Sequence, residues 1–369
     1  MGKDPKEIWE NYKIPVHFIS SHSFNDKMAL AAFLPKDLKE EIKRLRETKT
    51  KYKNLDDSVL FAILSSRIAV KAAGWKKGDS IGINIGSSRG ATALFEKYHT
   101  AFLRNGKAET ASSPATTLGN ISSWVSYDLK SNGPDISHSV TCSTGLHAVL
   151  NGCAWLGSGM AGKFLAGGSE AALTPFTIAQ MNALRIYANE EQEYPCRALD
   201  MEKVTDTMVL GEGAGVVCLE NNPEKFRGRI VGVGYATEKV KHSVSISADA
   251  NCLYKSMKMA IGTLPLNDVD IVVMHAPGTV KGDAAELKAV QNLFGKELPA
   301  LTSNKWKIGH TFGTSGILSL EMAILMLEHQ EFIEVPFSEI SLPPKKIRNI
   351  LVNAVGFGGN AVSILVNKS

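Results

Sequence analysis

The sequence predicts an α/β fold with a mostly buried sheet. Helical and extended hydropathy patterns alternate along all 369 residues. The extended runs are apolar and end in turns of small residues, and no low-complexity linker separates them. Composition agrees: 44% of residues are apolar, 21% are charged, and 41 Lys+Arg stand against 37 Asp+Glu, a formal charge of +4. A chain of this length buries a core without disulfide or metal staples. Disorder, collagen and coiled coil are excluded as descriptions of the whole.

The elements follow in order. Lys36 to Lys53 holds eight basic and four acidic residues, a local excess equal to that of the whole chain. Such a run is either a solvated helix face or a docking patch for an acidic partner. Val59 to Ala73 carries apolar residues at helical spacing and stops at Gly74. Ser80 to Gly86 alternates with period two and runs into Ser87-Ser88-Arg89-Gly90, a strand entering a small-residue loop. After Cys142, the apolar residues Leu146, Ala148 and Val149 open a helix. Further strand-to-turn passages are Lys163 to Gly168, Gly215 to Leu219, Ile271 to His275 and Ala361 to Val366; Ile317 to Leu327 is a helix. Two pairs of segments echo one another. VTCSTGLHAVLNGCAWL and KIGHTFGTSGILSLEMAILML both place a small-residue turn before an apolar helix, and GEGAGVVCL and GFGGNAVSIL both lead a Gly-rich turn into a strand. The echo suggests a duplicated half.

Near the N-terminus the longest uninterrupted apolar run, Val59 to Leu64, is far short of the roughly 18–20 residues that span a bilayer. The start MGKDPKEIWENYK lacks an apolar segment after its charges, so the expectation is a cytoplasmic protein without a membrane span. Five widely spaced cysteines (Cys142, Cys153, Cys196, Cys218, Cys252) with no CxxC pair read as reduced thiols rather than a disulfide frame or zinc site.

Chemistry concentrates at three positions. Cys142 lies in SVTCSTGLHAV, at an elbow before a helix, where the helix dipole and free N–H groups favour thiolate and offer an oxyanion site. The other four cysteines read as packing residues. His275 ends the run IVVM and opens Ala-Pro-Gly-Thr, at the C-terminal end of a strand where α/β sites collect. His310 sits among small residues in KWKIGHTFGTSG. Two such histidines and an activated cysteine point to nucleophilic catalysis with separate acid/base or electrophilic helpers. His147 reads as packing. The Gly-rich segments at Gly211 and Gly356 lead into strands rather than helices, and no GxxxxGK[ST] occurs, so phosphate cradling is not expected.

Taken together, six motifs in order resemble the β-ketoacyl synthases of the elongating Cys-His-His type, in the thiolase-like fold. They are VTCSTGLHAV, FLAGGSEAALTPF, CRALDMEKVTDTMVLGEGAGVVCLE, HAPGTVKGDAAE, SNKWKIGHTFGTSG and NAVGFGGNAV, and the resemblance runs from about Trp9 to Val366. It implies two pseudo-repeated halves in α-β-α-β-α layers, 1–225 with the nucleophile and 226–369 with both histidines. The family's first strand, a Val/Ile-rich run ending in Thr-Gly, has no counterpart ahead of Trp9 and is expected to be absent.

The resemblance further implies a decarboxylative condensation. Cys142 would take the acyl group from an acyl carrier protein, with an oxyanion site at the backbone of Cys142 and Phe357; Phe357 and Gly358 form the gating turn. His275 and His310 would hold the malonyl thioester oxygen as carbon dioxide leaves. Lys305 would support them, and Thr279 would meet the pantetheine arm. Lys49, Lys51, Lys53 and Arg67 are the expected carrier-docking residues. No metal or other cofactor and no nucleic acid is implied, and the expected assembly is a homodimer or a heterodimer with a chain-length-factor-like subunit. Three departures stand out. The common His-Gly-Thr-Gly-Thr reads His275-Ala276-Pro277-Gly278-Thr279, the glutamate nine residues past the second histidine is Ser319 with Glu321 nearby, and Thr207-Met208 replaces Gly-Phe. Alternative readings are a non-condensing chain-length subunit or a thiolase-fold acyltransferase; a thiolase would carry a second cysteine at the closing turn, which GFGGNAVSILV lacks.

Overall fold

A computed structural model describes residues 1–118, 120–238, 246–340 and 342–368. Up to residue 220 the elements are α1 (Pro5–Lys13), β1 (Ser20–Phe24), β2 (Lys27–Ala32), α2 (Lys36–Glu47), α3 (Asp57–Ala72), β3 (Gly82–Gly86), α4 (Thr92–Asn105), α5 (Ser112–Thr116), α6 (Asn120–Leu129), β4 (Asp135–Ile136), α7 (Thr144–Gly157), β5 (Lys163–Glu170), α8 (Pro175–Ala183), β6 (Leu210–Gly211) and β7 (Gly213–Glu220). They are followed by β8 (Arg229–Thr237), α9 (Asn251–Ile261), β9 (Ile271–Val273), α10 (Val280–Phe294), β10 (Ala300–Thr302), α11 (Lys305–Ile308), α12 (Ser315–His329), β11 (Asn349–Gly356) and β12 (Asn360–Asn367).

The basic run is an amphipathic helix as far as Glu47, and Lys49, Lys51 and Lys53 follow it. In α2 the apolar residues Leu38, Ile42 and Leu45 recur at helical spacing and are buried, which leaves the charges on the outer face. Helix α3 starts where the Asp56 carboxylate accepts the Ser58 N–H and ends just before Gly74. The strand expected over Ile271 to His275 stops at Val273, and Met274 and His275 turn out of it toward the site.

Two large sheets carry the fold. One has the order β4-β3-β5-β7 and the other β10-β9-β11-β12-β8. In each, three parallel strands are joined by an antiparallel one, β7 on β5 and β12 on β11. Helices α7 and α12 lie between the sheets, α3 and α6 cover the outer face of the first, and α9 covers the second with α10 packed beside it. These are five layers, α-β-α-β-α. Buried apolar side chains of α7, α12 and both sheets, among them Leu146, Val149, Ile317 and Val362, fill the shared middle layer. The two central helices come close enough that a Cβ at Gly316 would stand 2.6 Å from Leu146 Cγ, so only glycine fits there.

Candidate active site

Each of the three chemistry-bearing residues sits at the end of a core element. Cys142 immediately precedes α7, whose N-cap is Ser143. His275 follows β9. His310 lies between α11 and α12, and β6 pins it: its N–H donates to the Val209 carbonyl at 2.6 Å and its carbonyl accepts the Gly211 N–H at 3.0 Å. All three are nearly sealed from solvent, with exposures of 8%, 5% and 3%. Beside each is a non-glycine residue in the left-handed region: Thr141 at φ 49°, Ala276 at φ 25° and Phe312 at φ 46°. Strain of this kind costs about 1–3 kcal/mol per residue and persists only where the surroundings enforce it.

The enforcing contacts are visible. The Glu286 carboxylate, on α10, accepts the N–H groups of His275 at 2.9 Å and Ala276 at 2.8 Å, and the Asn353 amide at 3.1 Å. At the nucleophile, Thr141 Oγ1 donates to the Phe357 carbonyl at 3.4 Å. Gly356 approaches so closely that a Cβ there would lie 1.8 Å from Thr141 Oγ1 and 3.1 Å from the Cys142 nitrogen. The closing turn is thereby pressed against the elbow. Gly358 takes φ 89° in that turn, and Phe357 remains 39% exposed at the mouth of the site.

The rings of His275 and His310 face each other with centroids 5.4 Å apart and planes at 85°. His310 Nδ1 accepts the Phe312 N–H at 3.1 Å. Burial and the nearby Lys305 charge push His310 down to about 3, so the ring is neutral at physiological pH and its proton is on Nε2. Burial, Lys305 and His310 hold His275 well below its ordinary value too, and its Nδ1 finds no hydrogen-bond partner among the described residues. Two neutral imidazoles therefore stand together in the buried interior. Lys305 is 1% exposed, and burial lowers it to about 8 while Glu286, Cys196, Asp283 and Cys142 pull upward. Its charge reaches the cysteine and both imidazoles.

The thiol departs from the sequence expectation. Burial, reinforced by Glu170, pushes Cys142 up to about 12 against the opposing pull of Lys305 and Arg89. Desolvation outweighs the helix N-terminus here, and the resting group is a thiol.

Several groups in this constellation were not read from the sequence. Glu170, at the end of β5, accepts the Ser87 hydroxyl at 2.9 Å and the N–H groups of Ser88, Arg89 (3.4 Å) and Gly313 (3.1 Å). It ties the loop after β3 to the turn after His310. Asp283 accepts the N–H groups of Leu199 at 3.1 Å and Gly278 at 3.0 Å and pairs with Lys203 at 2.7 Å, both side chains buried. Glu286 had a signal: it shares the apolar stripe of α10 with Ala289 and Val290, an unusual place for a carboxylate. Glu321 is not the partner of Lys305. It is buried toward Arg227 and the chain's N-terminal amine, while the Ser319 hydroxyl lies 3.4 Å from Asn304 Oδ1.

The remaining sequence-named residues are dispersed. Thr279 is the N-cap of α10, its hydroxyl oxygen accepting the Gly282 N–H at 3.2 Å. Arg67 donates to both oxygens of buried Asp128 at 2.6 and 2.7 Å, joined by Tyr52 at 2.6 Å and Lys49 at 3.4 Å. Burial raises the Asp128 carboxyl, but these partners outweigh it and leave the group at about 2. Two cations of the expected docking set are thus already engaged, and Lys51 and Lys53 stand exposed. All five cysteines are free, and Cys196 lies against Gly278 with its sulfur 3.2 Å from where a Cβ would be. Among the described residues no helix is long and apolar enough to cross a membrane, and no cluster of His, Cys, Asp and Glu is set to hold a metal.

Comparison with known proteins places this geometry. The family model for the N-terminal domain of β-ketoacyl synthase matches residues 5–225, and that for the C-terminal domain matches residues 227–336. The chain is 27% identical over 394 aligned positions to 3-oxoacyl-[acyl-carrier-protein] synthase 2 of Staphylococcus aureus, covering 99% of this chain and 97% of that protein. Among solved structures it resembles the ishigamide ketosynthase/chain length factor with a TM-score of 0.86 at 17% identity, over 99% of this chain and 95% of that one. A type II polyketide ketosynthase in complex with its acyl-carrier protein gives 0.85 at 19% identity, over 100% and 96%. At these identities the two structures show a shared fold.

Proposed function

Since the chain belongs to the β-ketoacyl synthase family, we propose that Cys142, His275 and His310 carry out a decarboxylative condensation on carrier-bound thioesters, with Lys305 setting their charge states. The enzyme joins an acyl thioester to malonyl-acyl carrier protein and yields a 3-oxoacyl-acyl carrier protein, in fatty-acid or polyketide chain elongation. The observation that carries the residue assignment is the buried pair of perpendicular imidazoles, with Lys305 acting on both of them and on the buried Cys142.

In the first step Cys142 Sγ attacks the acyl carbonyl, the new S–C bond replaces the old one, and the thiol proton passes to the departing pantetheine thiolate. No net charge is created, which suits a thiol held at about 12. The backbone N–H groups at Cys142 and in the Phe357-Gly358 turn are the donors for the transient oxyanion. In the second step malonyl thioester binds with its carbonyl oxygen between the rings. His310 donates from Nε2, His275 donates beside it, and carbon dioxide leaves as the electron pair moves onto that oxygen. The enolate carbon then attacks the acyl group on Cys142, and the released sulfur takes up a proton. Neutral imidazoles suit this task, because each brings a donor without placing a second charge beside Lys305. Every group the reaction requires is a side chain or backbone amide of this chain, and the reading includes no metal or bound cofactor.

Ketosynthases act with acyl carrier protein and as dimers, and the related structures pair a ketosynthase with a carrier protein or a chain length factor. We assign Lys51, whose ammonium lies over the Tyr127 ring, and Lys53 as the exposed charges of the carrier-docking face, with Lys49 and Arg67 shaping it, and Thr279 to the pantetheine channel. The two halves, 1–225 and 226–369, each contribute one side of the site, in an enzyme of the cytoplasm. The test is mass spectrometry after incubation with acyl-carrier substrate. An acyl adduct on the wild-type chain that disappears in Cys142→Ala supports the assignment; an unmodified wild-type chain overturns it. Cys142→Gln, which keeps the histidines, is expected to decarboxylate malonyl carrier without condensing.

A further inference from the structure

Helix α11 is a single turn of four residues, and both of its lysines, Lys305 and Lys307, are buried. The Lys305 charge reaches Cys142 and both imidazoles, yet among the described residues no hydrogen bond or ion pair holds its ammonium. Lys307 is fastened instead to the segment that follows α1. Its Nζ donates to the carbonyls of Asn11 at 2.8 Å, Ile14 at 2.6 Å and Val16 at 2.7 Å, and it lies 4.6 Å from the centroid of the Trp306 ring. The same segment meets α11 at two more points. The Phe18 N–H donates to the Lys307 carbonyl at 2.7 Å, and the side-chain amide of Asn304, the N-cap of α11, donates to Tyr12 Oη at 3.4 Å.

An ammonium has three donors, and here three carbonyls take them. Asn11 lies in the last turn of α1, where carbonyls lack a partner within the helix, and Ile14 is its C-cap. Burial lowers Lys307 to about 8, so it is still an ammonium at neutral pH, and no carboxylate among the described residues pairs with it. Burying such a cation is costly, and an apolar side chain would pack the turn without that cost. What the lysine adds is a directed grip on three backbone groups. We infer, on the proposed roles of Lys305, His275 and His310, that Lys307 is a positioning residue for the condensation: by fastening α11 to residues 11–18 it sets where the Lys305 charge and the His310 ring stand.

A single turn closes few hydrogen bonds of its own and does not support itself, so the direction of α11 is set by what its side chains grip. Gly309, at φ 68°, joins the turn directly to His310. A tilt of α11 would carry the Lys305 ammonium with it, because that group has no tether of its own, and would pull on the His310 backbone. A misplacement of about 1 Å in a catalytic group can cost about a hundredfold in rate. Cys142 stands apart from this lever: it precedes α7, and no hydrogen bond from Lys307 reaches that elbow. The malonyl step therefore depends on the grip of Lys307 more than acyl transfer to Cys142 does.

The test compares the two steps in the full-length chain. Malonyl-carrier decarboxylation is measured in a Cys142→Gln parent, and the rate of acyl adduct formation in a parent that keeps Cys142. Adding Lys307→Met is expected to slow decarboxylation at least tenfold, to change the acylation rate less than threefold, and to quicken amide exchange at Phe18 at least tenfold. Lys307→Gln, which keeps two N–H donors, is expected to lose less than Lys307→Met. Should Lys307→Met not fold, Lys307→Gln carries the same comparison, with decarboxylation at least threefold slower and acylation unchanged. Decarboxylation within threefold of the parent in Lys307→Met overturns the inference, as does an equal loss in both steps, which would mark a purely structural residue. A Lys307→Gln chain as slow as Lys307→Met overturns it too, since the donors would then not matter. A Cys142→Gln parent that does not decarboxylate at all overturns instead the proposed roles of the histidines, and this inference with them.

Discussion

Glu170 makes folding stability depend on pH in a direction that a single substitution isolates. The carboxyl is fully buried and ties the loop after β3 to the turn after His310. Burial raises it from 4.5 to about 7, against the pull of the Ser88, Ser87, Gly313 and Arg89 donors. A group raised on folding stabilises the protein fully below its unfolded value, and the contribution is lost as pH rises through the folded value. For Glu170 the window is therefore pH 4.5 to 7. The full effect is about 3 kcal/mol, of which about 2–3 kcal/mol falls between pH 5 and 8. Glu170→Gln carries a constant penalty, since its amide NH₂ faces N–H donors, but it has no proton to lose. Urea unfolding of both proteins at pH 5, 6, 7 and 8 gives two stability curves. Their difference, wild type minus variant, should fall by about 2–3 kcal/mol across the range. Other buried groups such as Glu321, also near 7, titrate in both proteins and cancel. A difference flat to within about 1 kcal/mol would refute the claim that Glu170 is held protonated by burial.

Three further outcomes are expected. Asp283→Asn leaves Lys203 buried without its partner and should cost about 3–5 kcal/mol in urea unfolding. The double replacement Lys203→Met with Asp283→Leu should recover much of that, and a single-variant loss below about 1 kcal/mol would contradict it. Lys305→Met removes the cation that depresses both imidazoles, so the acid limb of the malonyl decarboxylation profile should move to higher pH; an unmoved limb would show that Lys305 does not set their charge. Lys51→Glu with Lys53→Glu should raise KM for carrier-bound substrate severalfold at low salt, with the difference fading at high salt and Tm unchanged. Arg67→Ala, by contrast, is expected to lower Tm, because it strips Asp128 of its bidentate partner. An unchanged KM in the lysine variant would remove those residues from the docking face.

Legibility from sequence followed the range of the interaction. The helix over Asp57–Ala72 and the strand over Gly82–Gly86 were readable because their signals, apolar period and terminating glycine, lie within a few residues. Cys142, His275 and His310 could be singled out as candidates because each sits in a local motif of small residues. Glu170, Glu286 and Asp283 were not singled out, since their partners come from segments 5 to 143 residues away, and a carboxylate is ordinarily a surface residue. Glu286 in the apolar stripe of α10 was the one local hint that a carboxylate had been turned inward.

The sequence by itself placed Cys142, His275 and His310 at the ends of core elements, because strand ends and helix starts are local events and the motifs stand at those junctions. It also carried the family and the five-layer plan. Charge states were decided only in three dimensions. A cysteine at a helix start favours thiolate in isolation, yet in the fold burial above all holds it as a thiol, and burial, with the Lys305 charge nearby, keeps both imidazoles neutral. Likewise, two of four expected docking cations are engaged by Asp128, which folding buries beside them. Burial is a property of the whole packing, and no window of sequence contains it.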